Sequence, residues 1–223
     1  MGSPQTDGID KGLAFFGKMS ASVSHEIKNC LAIINENAGL LEDFSMMAEQ
    51  GMPVDPLRLK TLSEKLKKQV RRANLLVLNL NRLAHSGDLP ARQTTLGDSL
   101  NLMCALAQRP AAMQEVSLKP SVPDSSATFS GYAFHLNQLI WYCIEYAIET
   151  AEKGSTLEIT LNRAGDAIRI LFQPLEASEG SLNDRLLQAG PVKELLAGLR
   201  ATLRVDMDQA GLELAFMDAP PTG

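Results

Sequence analysis

The sequence lacks most features of membrane-spanning, nucleic-acid-binding and disulfide-rich proteins. Its 223 residues include three cysteines and one tryptophan, and aromatic residues make up 5% of the chain. No run of about 18 consecutive apolar residues is present, so no membrane span is predicted. The formal net charge is −5 and the pI is near 5.3, which argues against nucleic acid as a partner.

The cysteines do not follow a disulfide or metal-site pattern. Cys30, Cys104 and Cys143 are odd in number, widely spaced and surrounded by apolar residues, so we expect buried thiols in a reducing compartment. The polar N-terminus, MGSPQTDGIDKG, lacks the apolar core of a signal peptide. These features predict a soluble, cytoplasmic protein, and a hydrophobic content of 45% allows one or two ordinary cores.

What the sequence does contain is a long amphipathic stretch around the hexapeptide SHEIKN, residues 24–29. The spacing of its apolar residues predicts a helix from Leu13 to about Gln50. His25 lies about 200° around this helix from Ile27, at about 100° per residue, so its ring should face solvent. The apolar stripe consists of Phe16, Met19, Val23, Ile27, Cys30, Ile34, Ala38 and Leu41.

A second amphipathic helix follows after a short turn. Gly51 and Pro53 end the first helix, and Asp55 is the predicted N-cap of the second, with Pro56 at its first helical position. This helix should run to about Ser86. Its apolar stripe is Leu59, Leu62, Leu66, Gln69, Ala73, Leu76, Leu80 and Leu83. An antiparallel hairpin of two such helices leaves one side of the stripe uncovered, so we expect a homodimer in the form of a four-helix bundle.

The pattern changes at SGDLP, residues 86–90, where the domain boundary is predicted. Helices are expected at 96–108, 132–153, 182–187 and 192–199, and strands at 115–122, 127–130, 156–162, 167–172, 202–206 and 211–216. Helices mixed with a mainly antiparallel sheet predict a two-layer α/β sandwich and an α+β chain overall. The predicted domains are a disordered head (1–10), the hairpin (11–88) and the sandwich (89–223).

The stretch SHEIKNCLAIINENAGLLED, residues 24–43, resembles the H box of two-component sensor histidine kinases, HEIKNxL followed by an apolar heptad. The resemblance implies that His25 accepts a phosphoryl group and that Glu26 acts as acid/base and orients the imidazole. It also implies that Asn29 can position water for dephosphorylation of a response regulator, although asparagine on a helix surface is often without a role. Many of these kinases have proline where this chain has Cys30, so a straighter helix is expected.

The second domain resembles the ATP-binding domain of these kinases, which belongs to the family shared with gyrase, Hsp90 and MutL. Its N box, approximately QxxxNLLxNAxxA, is matched by Gln138 and Ala147, but Tyr142 and Tyr146 stand at the two asparagine positions. The second asparagine holds Mg²⁺ in the family, and a neutral phenol is a poor replacement. Residues 173–178, QPLEAS, lack the expected DxGxG box, and the later GxGLG box is also absent. The domain is therefore expected to be degenerate, with no ATP and no other cofactor bound.

The resulting hypothesis is a histidine phosphotransferase that carries a phosphoryl group on His25 to or from receiver-domain aspartates, with Mg²⁺ on the receiver and not on this chain. The alternatives are a non-catalytic pseudokinase module that binds or sequesters a response regulator, and an active cytosolic sensor histidine kinase. The basic residues predicted to contact the receiver are Lys28, Lys67, Lys68 and Arg71, although such residues also form ordinary solvated faces. His85 and His135 are expected to be structural or solvated.

Overall fold

The computed structural model describes residues 4–88, 92–123, 126–165, 167–175, 186–187, 191–206 and 210–217. The chain divides into two compact units. Residues 17–82 form one, and residues 1–16 together with 83–223 form the other. The sequence analysis placed the boundary between hairpin and sandwich after residue 88. In the structure the boundaries fall after Phe16 and after Arg82, each inside one of the two long helices.

The first unit is a helical hairpin made from most of α1 (Pro4–Glu49) and α2 (Pro56–His85). α1 begins nine residues before the predicted start at Leu13, so the expectation of a disordered head is wrong for residues 4–10. Pro4 stands at the first helical position, where proline is favoured because its missing N–H would have no helical partner. At the turn, the Leu57 N–H donates to Asp55 Oδ1 at 2.9 Å, which confirms Asp55 as the N-cap of α2.

The interior of the hairpin differs from the predicted stripe at several positions: Asn37 is buried in place of Ala38, and Leu41 is exposed. Met19, Val23 and Cys30 are buried as expected, but Glu26 is buried where Ile27 was predicted, and Ile27 is only half-buried. The spacing of three or four residues is ambiguous at this point, because both 23–26–30 and 23–27–30 fit a helical period. The inward step at Glu26 places a carboxylate inside the hairpin.

A second apolar stripe on the hairpin remains exposed in the single chain. On α2 it includes Leu59, Val70 and Val77, which are 38%, 45% and 44% exposed and lie at helical spacing. On α1, Leu31 is 55% exposed. Leu41, which like Leu59 was predicted to lie in an inner stripe, is 37% exposed near the turn of the hairpin. An uncovered apolar stripe of this kind is unfavourable in water unless another surface packs on it.

The second unit contains a mixed sheet covered by helices, which confirms the predicted α+β class. The elements are β1 (Arg92–Thr95), α3 (Leu96–Leu106), α4 (Gln108–Met113), β2 (Ser117–Ser121), β3 (Thr128–Gly131), α5 (Ala133–Thr150), β4 (Thr156–Ala164), β5 (Ala167–Gln173), α6 (Val192–Leu199), β6 (Ala201–Asp206) and β7 (Gly211–Met217). Five strands lie in the order β2-β4-β5-β7-β6, with β2 and β4 parallel and the other pairs antiparallel. Helix α5 packs on β5 and β7, with α3 and α6 beside it.

Two short elements of this unit were not predicted, and one prediction cannot be compared. β1 is polar, RQTT, and is held by antiparallel pairing with β3, as in Thr94 opposite Phe129. The predicted helix 96–108 ends at Leu106 as α3, and a separate short helix, α4, follows from Gln108 to Met113. Most of the helix predicted at 182–187 lies outside the described residues.

The core of this unit lies between the sheet and α5. The strands contribute alternate apolar residues, and α5 contributes Leu139, Ile140, Ile144 and others that are fully buried. Cys104 and Cys143 are free and buried in this core, which confirms their assignment as structural thiols. Burial raises the pKa of the Cys104 thiol to about 12 and raises the pKa of Cys143 as well.

The start of α1 belongs to the second unit and packs on α5. The Phe15 side chain is 3% exposed, and its ring centroid lies 5.6 Å from that of Phe134 and 6.3 Å from that of Tyr142. One turn earlier, Lys11 Nζ lies 3.0 Å from Glu194 Oε1 on α6. Residues 11–16 thus complete the core of a domain that lies far from them in sequence.

Replacing Phe15 with alanine should destabilise the second unit by about 3 kcal/mol, because it removes a buried aromatic side chain and leaves a cavity. Phe16, which the sequence placed in the stripe but which is only half-buried, provides the matched control. Urea unfolding followed by tryptophan fluorescence measures both, since Trp141 lies 6.4 Å from Phe15. Equal losses for the two variants would contradict the role of Phe15 in this core.

Candidate functional site

His25 is presented on the outer surface of α1. Its side chain is exposed, and the buried residues nearest in sequence, Val23, Glu26 and Cys30, lie on another side of the helix. This confirms the predicted exposure. Within the described part of the chain, the imidazole makes no hydrogen bond or ion pair, so both ring nitrogens are open to an incoming partner.

Glu26, the next residue, is held inside the hairpin. It is 7% exposed, and its Oε2 accepts a charge-assisted hydrogen bond from Nη2 of Arg72 on α2. The sequence predicted that this carboxylate hydrogen-bonds and orients the imidazole. In the structure it is bonded to Arg72, and the catalytic role of Glu26 stays a prediction.

Asn29 and Lys28 follow on the same helix, and both are exposed. Asn29 is four residues from His25, so the two side chains project from one face. An amide at this position can act as donor and acceptor to a water near the imidazole. Lys28 is three residues from His25 and adds a positive charge close to that face.

The predicted receiver-binding residues of α2 are also on the surface. Lys67, Lys68 and Arg71 are all exposed. Lys68 lies one turn before Arg72, and Arg72 contacts the residue next to His25. The basic surface on this part of α2 and the exposed imidazole therefore belong to the same hairpin, at similar heights along it.

In the second unit, the N-box positions are occupied by packing residues. Gln138 is 2% exposed, and its Nε2 donates to the backbone oxygen of Lys11 at 3.5 Å. Tyr146 and Trp141 are each 3% exposed and pack in the core, while Tyr142 is half-buried. Gln138, the glutamine matched to the N box, thus contacts the backbone at the start of α1.

A small cavity lies beside these tyrosines. Its volume is about 200 Å³, and its lining includes Tyr142, Tyr146, Glu145 and Glu149. Cavities that bind drug-sized ligands are about 300–1,000 Å³, and carboxylates repel phosphate groups. Of the segment where the DxGxG box was sought, Gln173 to Leu175 are described; the remainder falls outside the described residues.

Among the residues with described positions, no group of three or more His, Cys, Asp or Glu side chains could hold a metal ion. No helix in that same part of the chain combines the length and the apolar character needed to cross a membrane.

Comparison with known proteins finds similarity only among solved structures. No family model matches the sequence, and no curated protein matches it either. Histidine kinase AdeS from Acinetobacter baumannii is 14% identical, with 88% of this chain and 98% of that chain covered and a TM-score of 0.48. A histidine kinase from Burkholderia phymatum is 14% identical, with 92% and 98% covered and a TM-score of 0.45.

A third similar structure is histidine kinase ThkA in complex with the response regulator protein TrrA. It is 14% identical, with 96% of this chain and 65% of that chain covered and a TM-score of 0.48. The neighbours are thus histidine kinases built from a helical part and an α/β domain. At these identities and TM-scores the likeness does not decide the function of this chain, which has to be inferred from its own residues.

Arg72 is the residue of the site that the sequence analysis missed. It was visible only as one member of a basic run on α2, because its pairing with Glu26, 46 residues away, depends on how α1 and α2 align. One signal was available. Glu26 fits the inward spacing between Val23 and Cys30, and an inward carboxylate requires a cation.

Proposed function

We propose that this chain is a histidine phosphotransferase of a two-component phosphorelay, which carries a phosphoryl group on His25 to and from receiver-domain aspartates. The observation that carries the proposal is the exposed imidazole of His25, which has no hydrogen-bond partner among the described residues, within an H-box sequence on a helical hairpin. The proposed class of partner is a response-regulator receiver domain, and the surface offered to it includes Lys28, Lys67, Lys68 and Arg71.

The reaction requires a nucleophile and little else from this chain. A neutral imidazole nitrogen attacks the phosphorus of a receiver aspartyl phosphate, an N–P bond forms, the O–P bond breaks, and the aspartate leaves as a carboxylate. The reverse step transfers the group to the aspartate of a second receiver. Mg²⁺ held by the receiver offsets the phosphoryl charge, so this chain contributes mainly position.

The second domain supports transfer without ATP. Tyr146 is buried at the position where the resembled kinases place their Mg²⁺-binding asparagine, and two glutamates line the small cavity beside it. Among the described residues, the cavity offers a triphosphate two carboxylates and no replacement for the metal-binding asparagine. Calorimetry with Mg²⁺-ATP should therefore detect no binding. Binding in the micromolar range would instead favour the active sensor kinase.

Dimerisation is proposed on grounds of burial. The exposed stripe that includes Leu59, Val70 and Val77 runs along the hairpin, and a second copy of the hairpin would cover it by forming a four-helix bundle. In such a bundle each copy keeps its own His25 outside the shared core, because His25 projects away from the apolar residues.

A second candidate is a non-catalytic module that binds a response regulator. The pairing of Glu26 with Arg72 favours it, because the carboxylate expected to orient the imidazole is engaged elsewhere. The two candidates differ in one property: a phosphotransferase passes the phosphoryl group on, whereas a sequestering module only binds.

A three-component relay tests the proposal. A donor receiver carrying labelled phosphate is mixed with an unlabelled acceptor receiver, with or without this chain and without ATP. We expect label to reach the acceptor only when the chain is present. Tight binding of both receivers with no gain of label on the acceptor would contradict the phosphotransferase and support the sequestering module.

A further inference from the structure

The ion pair of Glu26 and Arg72 joins a buried carboxylate to a largely exposed guanidinium. Glu26 is only 7% exposed, whereas the Arg72 side chain remains 55% exposed. A carboxylate removed from water needs a hydrogen-bonded cation, because an unpaired buried charge is strongly unfavourable. Arg72 therefore helps to hold the Glu26 carboxylate in its buried position.

This constraint acts on the residue next to the phosphoacceptor. The Cα atoms of His25 and Glu26 are about 3.8 Å apart, as in any trans peptide. When a phosphoryl group with two negative charges arrives at His25, an uncompensated carboxylate on the next residue would repel it. Arg72 offsets that charge. Its guanidinium has five N–H donors, and its side chain remains 55% exposed.

We infer that Arg72 is a positioning residue for phosphotransfer at His25, acting through Glu26. It holds the Glu26 carboxylate inside the hairpin, one residue from the phosphoacceptor, and offsets its charge while the phosphoryl group is transferred. The inference rests on the proposed function. It differs from a docking role, which would depend on the charge of Arg72 alone and would change how tightly a receiver binds.

Single-turnover transfer from a phosphorylated receiver, measured over a range of receiver concentrations, separates the two roles. R72Q should lower the maximal rate by about 10- to 100-fold, as expected for lost positioning, with a much smaller change in the half-saturating receiver concentration. R72K should recover part of the rate, because lysine keeps the charge but not the planar fork. R82Q, which removes another exposed α2 arginine, is the charge-matched control and should retain the wild-type maximal rate.

The double variant E26Q/R72Q completes the test. If Arg72 acts through Glu26, the double variant transfers no more slowly than E26Q alone, because the partner of Arg72 is already neutral. Removing both charges also leaves no unpaired buried carboxylate, so this comparison remains available should R72Q fail to fold.

Three results would overturn the inference. These are a further loss of rate in the double variant, a change confined to the half-saturating concentration in R72Q, and a wild-type maximal rate in R72Q. Failure of the proposed function gives a different result: the wild-type chain itself would accept no phosphate from any receiver, and the inference would fall with it.

Discussion

Replacing His25 with glutamine is expected to abolish transfer of label between receivers, with a loss of at least about 1,000-fold in rate, because the only proposed nucleophile is removed. Glutamine is polar and fits an exposed helix position, so the hairpin should still form. The relay of two receivers with this chain between them measures the effect, and circular dichroism checks the helical content.

The matched control is His135→Gln. His135 is exposed like His25, but it lies at the start of α5, where its ring contacts Tyr132 and Phe134. This variant should retain full transfer. Transfer that persists in His25→Gln, or that is lost equally in both variants, would contradict the assignment of His25 as phosphoacceptor.

Placing aspartate at both Val70 and Val77 should convert the protein from a dimer to a monomer. These side chains lie two turns apart on the exposed apolar face of α2, and burying unpaired carboxylates at an interface costs several kcal/mol. The dimer dissociation constant should rise by at least about 100-fold. Light scattering coupled to size-exclusion chromatography over a range of concentrations measures it.

The control for this experiment is Leu75→Asp. Leu75 is 58% exposed and is therefore at least as accessible as Val70 and Val77, but it lies about 140–160° away from them around α2. The dimer should persist in this variant. If the wild-type chain is monomeric at high concentration, or if Leu75→Asp dissociates it equally well, the four-helix bundle proposed from the exposed stripe is wrong.

The larger features of the fold could be predicted because each depends on local signals. The two long helices follow from apolar residues at helical spacing, and the turn follows from Gly51, Pro53 and the capping carboxylate of Asp55. α6 was predicted with its observed bounds, Val192 to Leu199, since an amphipathic stretch here begins after a proline. Strands β4 and β5 were also predicted from a local signal, two apolar stretches joined by a short turn.

The features that were missed depend on contacts between distant parts of the chain. β1 has a polar sequence and exists through its pairing with β3. Phe15 rather than Phe16 is buried because α5 supplies an aromatic surface 119 residues later, at Phe134. The pairing of Arg72 with Glu26 likewise depends on the alignment of two helices, which single-helix periodicity does not fix.

The candidate site divides in the same way. His25, Lys28 and Asn29 could be named from the sequence, because exposure on an amphipathic helix is a local property. The environment of Glu26 could not, since its burial and its partner come from α2. For the second domain, Tyr142 and Tyr146 at the asparagine positions led to the prediction that ATP does not bind, and that stays a prediction; the burial of Tyr146 itself depends on packing within the domain.

The most direct test of the account asks where the phosphoryl group comes from and where it is held. Wild-type protein is incubated in parallel with labelled phospho-receiver and with labelled Mg²⁺-ATP, and the modified residue is located by mass spectrometry under conditions that preserve phosphohistidine. The account predicts phosphate on His25 from the receiver, labile in acid and stable in base, and none from ATP. Labelling of His25 from ATP alone, or phosphate at another residue, would contradict it.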